Sequence, residues 1–263
     1  MSLIRLIVMG DDSFVPSELT AVKAWWDVDY GVTKNGSNLV SSWVDRIVGA
    51  DAAQATDADK PTFKAAGSVD PSVLGDRACI QLGNSTATWL QTASAVSGVP
   101  TGTDEMWLFS VVHIVSSVGF ASMVLGLGGA SLSIGVTGSS APPAGNFAAL
   151  QSVGAFSFNN GENILSDNAV IDAKFTTSAI SGRVNGAASG SGSGFTTNAA
   201  DILTIGARQF NPSGEYPTGY IGDQIVTSAL TSVERDKIEG YLAWKYGAEG
   251  SLPITHPYRY SAP

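Results

Sequence analysis

The chain has 263 residues, of which 44% are hydrophobic and only 14% charged. A formal net charge of −9 argues against nucleic-acid binding and against docking to anionic membranes, both of which attract basic surfaces. With Cys79 the only cysteine and two histidines, an internal disulfide is excluded and a familiar closed zinc site has too few ligands.

Thirty glycines with abundant Ser, Thr and Ala mark a turn-rich β protein. Residues 1–17 open with a short apolar run, Leu3 to Met9, before Asp11 and Asp12. The run is far below the roughly 20 apolar residues of a membrane span, and no signal-peptide cleavage region follows. The expectation is an edge strand or arm, on a chain made in the cytoplasm. From Glu18 to Asp29 the sequence predicts a core strand around Val22, Ala24, Trp25 and Trp26, and Asn35-Gly36 predicts a turn. Val40 to Val48 holds Trp43 and Asp45; Asp51 to Pro61 reads as a loop. Ala78, Ile80 and Leu82 alternate with Cys79 and Gln81 as a strand requires.

Glu105 to Ser116 is the clearest strand. Trp107, Phe109, Val111 and His113 share one face and Leu108, Val112 and Ile114 the other, so the strand is central and covered on both sides. Further strands are predicted at Val124 to Gly128, Leu132 to Val136, Phe147 to Phe158, Ala169 to Phe175, Ile202 to Ala207 and Tyr220 to Thr227. Asn185-Gly186 predicts a type I′ hairpin turn, and the Gly/Ser run to Gly194 a flexible loop or hairpin tip. About a dozen short strands without a longer repeat make a sandwich. The one convincing helix, 231–246, starts with a capping box, Thr231 and Glu234, and stops at Gly247. Its Ile238, Tyr241 and Leu242, with Trp244 or Lys245, form a stripe for docking on a sheet.

Catalytic chemistry finds little purchase. Glycan hydrolysis requires two carboxylates about 5–9.5 Å apart. No Glu-x-Asp-x-Glu strand occurs, and Asp27-Val-Asp29 supplies one pair without a third acid. Calcium would need six to eight oxygen ligands. Asp27, Asp29, Asp45 and Asp223 are its weak candidates, each more simply a structural acid near a strand end. Cys79 has apolar neighbours and reads as a buried thiol. His113 reads as packed in its strand, and His256 as an anchor for the tail. No Gly-x-Ser-x-Gly elbow or phosphate-cradling loop appears. Tyr30, Trp89, Tyr216 and Tyr220 lie near loops and are the candidate platforms for sugar rings. Trp25, Trp43, Trp107 and Trp244 read as core.

The stretch Gly219 to Leu230, the helix after it and the ending Leu252-Pro-Ile-Thr-His-Pro-Tyr258 resemble the C-terminal signature of concanavalin A-like lectin/glucanase domains of bacteriophage virion proteins. Ala24 to Asp27, Leu39 to Asp45, Lys60 to Phe63, Arg77 to Leu82 and Arg183-Val-Asn-Gly186 extend the likeness over about residues 20–260. The resemblance implies an all-β fold, a two-sheet antiparallel jelly-roll sandwich over residues 18–263, closed by one C-terminal α-helix. It implies a non-enzymatic virion structural protein, a capsid decoration or tail-fibre module. Such a chain would form homo-oligomers, meet other virion proteins through residues 1–17 or its sheet edges, and reach the outside by lysis. Calcium binding occurs among related domains. The alternative is a carbohydrate-binding adhesin that reads host-surface glycans; a glycan hydrolase is the third reading.

Overall fold

The computed structural model describes residues 14–70, 72–83, 86–102, 104–119, 121–127, 132–141, 143–152, 155–159, 161–194, 202–207 and 214–263. The expected strand within residues 3–9 lies outside them. Phe14, near the end of the expected arm, is buried, its ring 6.3 Å from that of Tyr241 in the terminal helix.

The strand with apolar residues on both faces takes the centre, as its pattern demands. Met106–Ser117 pairs antiparallel with Asn168–Phe175 on one side and Pro217–Ser228 on the other. Outward from these run Ala179–Val184 and Ala187–Ser193 at one edge, and Cys79–Leu82 and Thr62–Lys64 at the other. Val22–Trp26 also pairs with Pro217–Ser228, making eight strands among the described residues. The second sheet has nine, in the order Ala155–Phe158, Phe147–Ser152, Leu132–Thr137, Ala121–Leu127, Leu203–Ile205, Leu90–Thr92, Ala52–Ala53, Val40–Trp43 and Val32–Lys34. The architecture is the antiparallel sandwich with one C-terminal helix that the sequence implies.

One cluster of buried apolar residues joins both sheets and the helix. The sheets approach closely at Gly182, where a Cβ would lie 2.4 Å from the rings of Phe147 and Phe158. Strand alternation therefore turns the neighbouring Ser181 and Arg183 to the opposite face. The terminal helix, Ser232–Lys245, packs on that outer face. Its Tyr241 ring stands edge-on to Trp25 at 5.8 Å, and its Glu239 meets Arg183. The expected capping box is present: the Thr231 hydroxyl accepts from the Glu234 N–H, and Glu234 accepts from the Thr231 N–H at 2.9 Å.

Two local expectations are corrected. The Gly/Ser run after Gly186 forms a strand, Ala187–Ser193, entered through a tight turn in which Asn185 and Gly186 both adopt positive φ, 49° and 76°. Phe147 to Phe158 is a hairpin of two strands and not a single strand.

Candidate functional site

Two polar clusters pin the helix to the outer face, and a groove opens beside one of them. The first cluster gathers three of the four aspartates considered for calcium. Lys245 Nζ lies 2.6 Å from Asp27 Oδ1, 3.0 Å from Asp223 Oδ1 and 3.2 Å from Asp29 Oδ2. Asp223 also accepts from Trp25 Nε1 at 3.0 Å, the Val28 N–H at 3.1 Å and the Tyr246 hydroxyl at 2.7 Å. Arg46 Nη1 donates to Asp27 Oδ2 at 2.5 Å. Asp45 stands apart, accepting from the backbone N–H groups of Trp25 and Val48 at 2.5 and 2.6 Å.

Burial opposes each charge here, and the neighbours decide the outcome. For Lys245 burial works against the ammonium, but Asp223 and then Asp27 outweigh it and push its pKa up. For Asp27 burial is outweighed by Lys245, and the carboxyl falls below its ordinary value. For Asp223 burial wins over Lys245, and its pKa is raised. A buried ammonium thus occupies the position a calcium ion would need. The donor set does not fit that ion, and the cluster ties helix to sheet.

Of the second cluster, the sequence reading singled out His256 as an anchor for the tail. Arg183 Nε donates to the fully buried Glu239 Oε1 at 2.6 Å, and its Nη2 donates to the Gly186 carbonyl. His256 Nε2 lies 3.1 Å from Glu239 Oε2, while its Nδ1 accepts from the Tyr258 N–H at 3.2 Å. That acceptor role leaves Nε2 as the nitrogen that donates to Glu239. His256 therefore anchors the tail, with Trp244 Nε1 donating to the Tyr258 carbonyl at 2.7 Å. Asp172 lies directly opposite Arg183 in the sheet and is wholly buried. Burial, then the Glu239 charge, lifts its pKa well above the ordinary carboxylate value. Asp236, Glu239 and His256 cluster closely enough to suggest metal ligands, but Glu239 is already engaged by Arg183 and His256.

Beyond Arg183 the outer face opens into a groove of about 570 Å³ between the sheet edge and the start of the helix. Lys174, Arg183 and Arg235 line it, with the hydroxyls of Ser181, Ser191 and Ser232. Sheet register brings these together: Lys174 stands opposite Trp107 on one neighbouring strand and Ser181 on the other. Trp107, read from the sequence as core, forms part of the lining but is only 5% exposed. A second hollow of about 460 Å³ is lined by polar groups including Glu162, Asp167, Asn168 and Asn185.

None of the four aromatic candidates lines either hollow. Tyr30 is exposed, with the Arg46 guanidinium 4.9 Å over its ring. Trp89 and Tyr216 are half-buried in loops. Tyr220 is half-buried on the sheet, its ring 6.2 Å from that of His113.

No protein family profile and no curated protein matches the chain. Solved structures do. An arabinofuranosidase complexed with arabinofuranosyl-α-1,2-xylobiose superposes with a TM-score of 0.60 at 14% identity, over 79% of this chain and 51% of that one. A variant GH54 α-L-arabinofuranosidase soaked with 4-nitrophenyl α-L-arabinofuranoside gives 0.61 at 16% identity, with the same 79% and 51% coverage. Domain 4 of AbnA, a GH43 extracellular arabinanase from Geobacillus stearothermophilus in complex with arabinotriose, gives 0.48 at 12% identity, over 81% of this chain and 95% of that domain. The chain spans about half the length of the arabinofuranosidases. At these identities the likeness shows the sandwich fold. None of the three is named as a phage protein, and the virion setting implied by the sequence resemblance gains nothing from them.

Proposed function

We propose that the chain is a glycan-binding β-sandwich that holds its ligand without cleaving it, in the groove beside the start of the terminal helix. The observation that carries this reading is the groove itself. It has the volume of a small-ligand site, and hydrogen-bonding groups from several strands and the helix converge in it. Two clusters of buried ion pairs fix those elements, so the groove is preformed. The arabinofuranosidases of the same fold, studied with arabinofuranosyl ligands, support the sugar as ligand class. No carboxylate lines this groove among the described residues, whereas hydrolysis by the usual route needs two. On a virion, the same groove would serve attachment to host-surface glycan.

A glycan array with the purified chain tests the reading, followed by a reducing-end assay on each glycan that binds. Binding without release of reducing ends is expected. An empty array, with and without added calcium, would refute it.

A second reading, cleavage, is favoured by one observation. Glu162 and Asp167 line the smaller hollow, and burial followed by the Asp167 charge raises the Glu162 pKa, as a general acid requires. Release of reducing ends by the chain and its loss in Glu162→Gln would establish that reading; an inactive parent chain removes it.

A further inference from the structure

Three ion pairs border the groove, and all three point the same way. Lys174, Arg183 and Arg235 line it, while their partners Glu105, Glu239 and Asp236 do not. The chain as a whole has 23 Asp and Glu against 14 Lys and Arg, so three cations and no carboxylate among the described lining residues run against its composition. The cations are also restrained. Lys174 Nζ is 2.8 Å from Glu105, Arg183 is held by Glu239 and Gly186, and Arg235 Nε lies 3.0 Å from Asp236. Groups held in place lose little further freedom when a ligand arrives.

The donor and acceptor inventory then selects the ligand. Lysine and arginine side chains donate and never accept. Among the described residues the side-chain acceptors in the lining are the hydroxyls of Ser181, Ser191 and Ser232, with no carboxylate, amide or imidazole. A neutral sugar presents hydroxyls that both donate and accept, and its own donors would find few partners here. Nor is there a free aromatic face for a sugar ring. Trp107 stacks on Phe109 with ring centres 6.0 Å apart, and Lys174 Nζ lies 5.7 Å from its ring centre. A carboxylate or sulfate only accepts, and it matches such a lining with charge-assisted bonds.

We propose that the groove recognises an anionic substituent, a carboxylate or a sulfate, carried by the glycan. This rests on the glycan-binding reading above and narrows it to acidic sugars. The layer beneath is consistent: Arg183 is held from below by the fully buried Glu239, 2.6 Å away.

The test is an array of oligosaccharides that share one backbone in neutral, uronic-acid and sulfated forms. It is probed with the parent chain, Lys174→Gln and Arg235→Gln, and thermal midpoints are measured alongside. Acidic forms alone should bind, more weakly as salt is raised. Each variant should lose about tenfold in affinity or more at an unchanged midpoint. Acidification below the carboxylate range should release uronic acids and spare sulfates, which separates the two sources of charge. Equal binding of neutral forms would overturn the proposal and leave glycan binding standing. Undiminished binding by both variants would also overturn it, by placing the ligand elsewhere. No binding to any form would overturn both readings.

Discussion

Lys245→Met removes the cation at the centre of the first cluster while keeping most of the side chain's volume. Asp223 is fully buried and Asp27 nearly so, and the ammonium contacts both. Stripping one partner from a buried ion pair costs about 3–5 kcal/mol, because the remaining charge has no water to turn to. Asp223 retains Trp25 Nε1, the Val28 N–H and the Tyr246 hydroxyl as donors, and Asp27 retains Arg46. The lower end, about 3 kcal/mol, is therefore expected. For a chain of this size that lowers Tm by roughly 6–12 °C, at about 2–4 °C per kcal/mol. The loss depends on pH with a definite sign. Asp223 already titrates above its ordinary value of 3.8, and removing Lys245 raises it further. A group with a raised native pKa binds its proton more tightly when folded, so stability falls as pH rises through that range. The variant's deficit should be largest near neutrality and shrink on acidification, as the orphaned carboxyl takes up a proton. Urea unfolding of parent and variant at a series of pH values measures this. A deficit below about 1 kcal/mol at neutral pH, or one that does not change with pH, would refute the assignment of Lys245 as the buried counter-ion.

Three further outcomes follow from the same structure. Asp172→Asn should remove the part of the stability loss that accompanies rising pH through the raised Asp172 range; Glu239→Gln should cost about 3 kcal/mol or more, by leaving Arg183 without its charge partner. Paired denaturation curves distinguish the two. Gly240→Ala places a Cβ 2.6 Å from Tyr258 Cβ, so the C-terminal tail should lift and become cleavable in limited proteolysis, despite the higher helix propensity of alanine. Cys79, fully buried with its thiol pushed up to about 12, chiefly by burial, should resist a thiol-specific reagent at neutral pH until the chain is unfolded.

What could be read from the sequence was what is encoded locally. The helix declares itself through Thr231 and Glu234, three residues apart, and the hairpin through Asn185-Gly186. The central strand shows in the run from Met106 to Ile114, apolar on both faces but for Ser110 and His113. The polar clusters are a different matter. Trp25 and Asp223 are 198 residues apart, and Asp27 and Lys245 are 218 apart, so only the finished sheet brings them together. The four aromatics nominated for sugar stacking were chosen for nearness to loops, a criterion that ignores the sheet's outer face. A usable signal did exist. In Asn168–Phe175, Asp172 and Lys174 place two charges on alternate positions of an otherwise largely apolar strand. Charges at that spacing share a face, and a buried face tolerates them only if other elements bring partners. For Lys174 that partner is Glu105.

The Gly/Ser run also gains a purpose once it is seen as a strand. Ala188, Gly190 and Ser191 border the groove from the sheet's edge strand, Ala187–Ser193. Large side chains at these positions would extend over Arg183 and Ser181 and fill the hollow. Small residues cost strand propensity. The Asn185-Gly186 turn brings the edge strand back beside Ala179–Val184, with one register shift between Ser181 and Arg183, and the strand pairs there without closing over the cations that its neighbours present.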